Sequence, residues 1–281
     1  MTTDQAVAVT LPSRQLSAAR RAVHAAAAAI RAEFGVREIT AYKGPSDVQL
    51  KADLVAQRTI IEILSEEFPD YGIVSEEGLD TSWPDTRHTW LVDPLDGTNN
   101  FGYGIAHCAI AITLFSGSRI VLALVFDPIL GREYSATTGP SGPGGRRPRT
   151  DLAHATLSLV TGYSRSARDY GRHAERLLTD RCKRILNLWA PALDLALVST
   201  GALDGIVCID AKLLDVCAGL HLLEASGACV VGPDGRRLTP TRDLWEQPVS
   251  FIAAAHPELA KDLLAAVNLT AGSRHAGRKK I

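Results

Sequence analysis

The sequence runs to 281 residues, 46% hydrophobic and 22% charged, with a formal net charge of −1. That is chain enough for a sizeable buried core, and the composition is that of an ordinary globular protein. The near-zero charge and the absence of a basic patch interleaved with aromatics exclude the electrostatic footprint of a nucleic-acid polymer or acidic-membrane binder, and no apolar run reaches transmembrane length. Cys108, Cys182, Cys208, Cys217 and Cys229 lack zinc-site spacing and sit on apolar segments, which predicts reduced thiols and a cytoplasmic protein.

Residues 1–12 show no periodicity and are expected to fray. Gln15 to Phe34 then reads as an Ala/Arg helix ending at Gly35, where a left-handed cap is expected. Its alanine run is closed by Arg31 and Glu33 rather than a cleavage site, so it is an amphipathic helix and not an export signal. Tyr42-Lys43-Gly44-Pro45-Ser46-Asp47 reads as a loop before a helix from Leu54 to Phe68, with Asp53 placed as a helix cap. Tyr71 to Gly78 reads as a short strand that carries Glu76 and Glu77 to its end, a pairing that suits a solvated edge as well as a site.

Trp90-Leu91-Val92-Asp93-Pro94-Leu95-Asp96-Gly97-Thr98-Asn99-Asn100-Phe101 is the most informative stretch. Its apolar lead-in reads as a buried strand and its Asp-Pro-Leu-Asp-Gly-Thr as a turn opening a helix. Carboxylates hold a hard cation and N–H groups at a helix start hold an anion, so a metal and a phosphate could sit side by side here. As separate residues these are also ordinary turn formers. Cys108 to Phe115, Ile120 to Phe126 and Arg132 to Ala136 predict an antiparallel meander, with Asp127-Pro128 after its second strand.

The stretch Gly139 to Pro148 is broken by prolines and lacks Gly-Lys-Ser/Thr, so it is no nucleotide P-loop; it predicts a mobile hairpin and a domain boundary. Beyond it come a strand from Ala155 to Val160, a helix from Arg165 to Leu178 and a strand from Arg184 to Leu188. A helix is then entered through Pro191 and closed at Gly201, followed by a strand from Ile206 to Ile209 that ends at Asp210. Lys212 to Gly219 leads into a helix from Leu220 to Ala225, with Asp215 in an N-cap position. A strand from Pro248 to Ala253 and a helix from Pro257 to Val267 precede a basic tail.

The pattern Trp-x-Val-Asp-Pro-Leu-Asp-Gly-Thr-x-Asn-Phe resembles the central signature of the inositol monophosphatase-like family of metal-dependent, lithium-sensitive phosphatases. Glu76-Glu77 resembles its Gly-Glu-Glu element, with Ser75 in place of Gly, and Asp215 to Gly219 resembles its Trp-Asp-x-Ala-(Ala)-Gly, with Leu214 in place of Trp. Leu50 stands where the family often has Thr. The resemblance implies an α/β (α+β layered) fold, a five-layer αβαβα sandwich of the sugar-phosphatase type. Residues 1–150 would form an N-terminal α+β domain carrying most metal ligands, and residues 151–281 a C-terminal α/β domain carrying Asp215 and the leaving-group wall. A homodimer acting on a small phosphorylated metabolite is the family expectation.

The same resemblance implies two or three magnesium ions. Asp93 would bridge two of them, Glu76 and the Leu95 carbonyl would hold the first, and Asp96 and Asp215 the second. Lys43 would stand in a flexible loop, Glu77 behind Glu76, Asp53 and Thr98 beside the attacking water, and the Gly97 and Thr98 N–H groups on the phosphate. The leaving-group wall departs from an inositol phosphatase: Trp189-Ala190-Pro191 replaces a Gly-(Ser/Thr)-Ala turn, and Cys208 aligns with the acid that would touch an inositol hydroxyl. This predicts Trp189 stacking on a ring, with Asp210 and Lys212 as polar selectors, and hence a nucleotide or nucleoside-type monophosphate in specialised biosynthesis. Simple core packing of Trp189 is the competing reading. Inositol 1-phosphate and histidinol phosphate are the alternative substrates, and a non-catalytic protein that binds metal and phosphate is the alternative of another class.

Overall fold

The structure, a computed structural model, describes residues 13–77, 83–138, 149–245 and 247–267. The Gly/Pro stretch 139–148, residues 1–12 and the basic tail lie outside the described residues.

Helix α1 (Ser13–Ile30) buries Ala18, Ala19, Ala22, Val23, Ala26, Ala27 and Ile30 on one face. Alanine is the best helix former, and its small side chain lets the helix lie close to its neighbours. A short 3-10 turn follows, and Gly35 takes the expected left-handed conformation at φ +79°. Where a loop is expected, the chain forms a hairpin of β1 (Ile39–Gly44) and β2 (Asp47–Leu50), so Lys43 sits in a strand. Most of β1 is exposed and its register is irregular, so it carries no apolar alternation that would mark it in the sequence. Helix α2 (Lys51–Glu67) begins earlier than expected and turns Ala56, Ile60 and Leu64 inward against α1.

The first sheet has the order β3-β4-β5-β6-β7. It is built from β3 (Gly72–Ser75), β4 (His88–Asp96), β5 (Ala109–Ser116), β6 (Arg119–Asp127) and β7 (Arg132–Thr137), with α3 (Thr98–Gly102) after β4. Strand β3 lies parallel to β4, and the others form the expected antiparallel meander. Asp127 is buried and closes the turn after β6 by accepting the N–H groups of Ile129 and Leu130.

The second sheet has the order β11-β12-β10-β8-β9. Its strands are β8 (Thr156–Thr161), β9 (Arg184–Leu186), β10 (Gly205–Ala211), β11 (Cys229–Val231) and β12 (Val249–Ala254), and β8 runs parallel to both β9 and β10. Helices α4 (Arg165–Thr179) and α7 (Pro257–Val267) cover its outer face through Ala167, Ala174, Leu259 and Leu263.

Helices α5 (Pro191–Ser199) and α6 (Leu213–Ser226) lie between the two sheets. Ala192, Leu193 and Ala218 pack on the first sheet, and Leu195, Val198 and Leu220 on the second. Both helices are apolar nearly all round, as burial on two faces requires. They meet at Gly219, where a Cβ would lie 2.3 Å from the Leu195 Cβ. With α1 and α2 outside the first sheet, the layers run αβαβα. Helix α6 starts at Leu213, well before the expected Leu220, because its first turns, apolar except for Asp215, carry no amphipathic period. Lys212 is therefore the N-cap, and Asp215 sits inside the first turn rather than ahead of it.

Candidate active site

Asp93 and Asp96 are three residues apart, a spacing that in a regular strand turns side chains to opposite faces. Pro94 supplies no ladder N–H, and the β4–β5 register is broken between the two acids, so both line one cleft. Parallel pairing brings Glu76 there as well. Ser75 pairs with Val92, and the Glu76 N–H donates to the Val92 carbonyl at 3.2 Å, which sets Glu76 beside Asp93. Asp215 enters from α6, and Gly97, Thr98 and Leu95 complete this wall. Gly97 turns the chain at φ +81°, with His107 O and Ala190 Cβ 3.0 Å from where a Cβ would stand.

Asp53, fully buried on α2, uses both oxygens. Oδ2 accepts the Leu50 N–H at 2.8 Å, capping the helix, and Oδ1 accepts the Thr98 hydroxyl at 2.8 Å. Thr98 Oγ1 also lies 2.9 Å from the Leu95 carbonyl. Lys43 Nζ donates to Glu76 Oε1 at 3.0 Å and to Glu77 Oε1 at 2.5 Å, and Gln49 holds the other Glu77 oxygen. Lys212 Nζ stands 4.0 Å from Glu76.

Burial raises the Asp93 pKa well above the carboxylate range, and the charges of Glu76, Asp96 and Asp215 raise it further. Burial likewise raises Asp96, helped by Asp215 and Asp194, although the Leu193 and Ala192 N–H groups oppose the shift. Asp215 is pushed up to about 7 by burial and by Glu76, and Asp53 to about 7 by burial against the Leu50 and Thr98 hydrogen bonds. Burial works to lower the Lys43 pKa, but the Glu76 and Glu77 carboxylates more than reverse this and leave it raised.

Among the described residues no three His, Cys, Asp or Glu side chains close on one point as a finished metal cage, and Lys43 occupies one Glu76 oxygen. In kind, the donors fit a hard divalent cation: carboxylate oxygens and a main-chain carbonyl on one cleft, with mutual repulsion that such a charge relieves.

Trp189 and Asp210 also line the cleft, and Trp189 is 36% exposed rather than packed in a core. Cys208 is fully buried among apolar side chains, and Asp210 is the β10 acid on the cleft.

Sequence reasoning missed Asp47, which lines the cleft from β2, and Tyr163, which follows β8. It also missed Asp194, whose oxygens contact His107 Nε2 at 2.8 Å and Ser158 Oγ at 2.6 Å, and Asn100, whose amide donates to the carbonyls of His107 and Leu188. A single acid inside Pro191-Ala192-Leu193-Asp194-Leu195-Ala196 was the available signal, because a buried carboxylate needs partners.

A sequence profile of the inositol monophosphatase family matches residues 12–270. The chain belongs to the inositol monophosphatase family. It is accordingly a phosphoric monoester hydrolase. The inositol-1-monophosphatase of Rhizobium meliloti (strain 1021) is 34% identical over 223 residues, 76% of this chain and 84% of the relative. The Nus factor SuhB of Escherichia coli (strain K12) is 30% identical over 233 residues, 79% of this chain and 83% of its own. The crystal structure of the extragenic suppressor protein suhB from Bartonella henselae superposes with a TM-score of 0.81 at 26% identity, covering 91% of this chain and 98% of that one. An IMPase from Thermotoga maritima, 22% identical, shares the fold with a TM-score of 0.80 over 94% of this chain and all of its own.

Proposed function

We propose that this family member hydrolyses a small phosphomonoester in a magnesium-dependent reaction. The observation that carries the reading is the convergence of Glu76, Asp93, Asp96 and Asp215 on one cleft with Thr98, whose hydroxyl the buried Asp53 accepts from behind. Those four acids and the Leu95 carbonyl would hold two or three magnesium ions, which supply polarisation of the phosphoryl oxygens and a water acidic enough to ionise near neutral pH.

The other steps belong to the chain's own groups. Thr98 Oγ1 has one proton and two acceptors, Asp53 Oδ1 and Leu95 O, so its lone pairs remain to orient the attacking water. Asp53 Oδ1, which accepts the Thr98 hydroxyl, is placed to receive a proton relayed through it. The Gly97 and Thr98 N–H groups receive phosphate oxygens, and Lys43 and Glu77 hold Glu76 in place.

At the leaving-group end, Trp189 supports a ring-bearing alcohol of nucleoside type, with Asp210 and Lys212 selecting its polar groups. Inositol 1-phosphate is the second reading, favoured by the activity named for the Rhizobium relative. A cytoplasmic homodimer completes the proposal, and five unpaired cysteines suit a reducing compartment. The test is phosphate release with magnesium, with and without lithium, from AMP, adenosine 3′,5′-bisphosphate, inositol 1-phosphate, histidinol phosphate and fructose 1,6-bisphosphate. Magnesium-dependent release from at least one is expected. Binding of magnesium and phosphate with no release from any would support a non-catalytic binding protein instead.

A further inference from the structure

We infer that Trp189, Tyr163 and Asp210 form a preorganised specificity wall that selects phosphomonoesters whose alcohol carries a flat unsaturated ring together with a hydrogen-bond donor. This rests on the phosphatase reading above and deepens it. Among the described residues, only two other than glycine have a positive φ, Trp189 at 60° and Asp210 at 54°. Both line the same cleft, although one precedes α5 and the other lies near the end of β10. Left-handed backbone is unfavourable for a bulky side chain and persists where its surroundings enforce it, most often at functional sites.

Those surroundings are identifiable. Asn100 Nδ2 donates to the carbonyls of His107 at 2.8 Å and Leu188 at 2.5 Å, which pins the chain immediately before Trp189. Ser250 Oγ accepts the Asp210 N–H at 2.9 Å and donates to Asp210 Oδ1 at 3.0 Å, so the carboxylate is aimed and its Oδ2 is left to accept from a ligand. The Gly162 N–H donates to the Ile209 carbonyl at 2.7 Å, and a Cβ on Gly162 would stand 2.2 Å from the Asp210 carbonyl oxygen. Only glycine permits that approach, and it delivers the next residue, Tyr163, to the cleft.

The Tyr163 and Trp189 ring centroids lie 5.9 Å apart with their planes at 47°, an open aromatic angle with 42% of one residue and 36% of the other exposed. Exposed aromatic faces in a concave site beside an aimed acceptor match a leaving group with a π-face and a donor. A saturated polyol offers the donor without the π-face.

The test compares kcat/KM for AMP and for glycerol 2-phosphate, which has hydroxyls and no ring, in the wild type and in Tyr163→Leu, Trp189→Leu, Asp210→Asn and Tyr163→Phe. The two leucine variants should lose about tenfold on AMP, mainly through KM, and stay within about twofold on glycerol 2-phosphate. Asp210→Asn should lose severalfold on AMP, and Tyr163→Phe, which keeps the ring, should retain the wild-type preference. Equal losses on both substrates in the two leucine variants would make the wall merely structural and overturn the inference. So would a wild type that prefers glycerol 2-phosphate or inositol 1-phosphate to AMP, yet that outcome would leave the phosphatase reading standing. Failure of the wild type to release phosphate from any substrate would remove both.

Discussion

Asp53 shows how one side chain joins structure to chemistry, since Oδ2 caps α2 while Oδ1 receives the Thr98 hydroxyl. Asp53→Asn keeps the shape but removes the proton acceptor; kcat should fall by roughly 100-fold with little change in KM. Thr98→Val should do the same, and the double variant should be little worse than either single one, because the two groups act as a unit. Steady-state kinetics on any accepted substrate checks this, and additive losses would contradict the pairing. Asp194 is buried without exposure between His107 and Ser158. Asp194→Ala strands both partners and should lower stability by about 1–3 kcal/mol, read as a shifted urea midpoint at unchanged slope.

At the scale of elements, the α5–α6 contact is a tight constraint behind the cleft. Gly219→Ala places a methyl group within 2.3 Å of the Leu195 Cβ and should cost about 1–3 kcal/mol, because two helices buried between sheets have little room to move apart. Thermal melting checks it, and a silent substitution would mean that the layers are more compliant than their packing indicates. Legibility divides along physical lines here. The β4 turn was readable because its apolar run, two acids and Gly97 each carry a local signal. The β1–β2 hairpin was not, since exposed strands lack alternation, nor was the start of α6, where apolar residues on nearly every face leave no amphipathic period around Asp215. The meeting of Tyr163 with Trp189 depends on how β8 and α5 pack, and neither residue announces it locally.

For the molecule as a whole, the acids proposed to hold the metal and move the proton also set its pH response. Asp53 and Asp215 both have folded pKa values raised to about 7, so the metal-free folded state retains protons that the unfolded chain releases at lower pH. Stability from this source is complete below the ordinary carboxylate range and is lost as pH rises through about 7. Magnesium would bind only the ionised acids, so on the proposed reading the rise in Tm with magnesium should be small near pH 5 and grow towards about pH 8. A magnesium effect that shrank with rising pH would place the ion away from these carboxylates. The central claim, that four acids on one cleft support magnesium-dependent phosphomonoester hydrolysis, is tested most directly by substituting Asp93, the acid surrounded by the charges of the other three. Phosphate release should be measured for the wild type and for Asp93→Asn across a magnesium titration. The account predicts turnover that saturates with magnesium in the wild type and is abolished in the folded variant; turnover retained by Asp93→Asn, or independent of magnesium in the wild type, would contradict it.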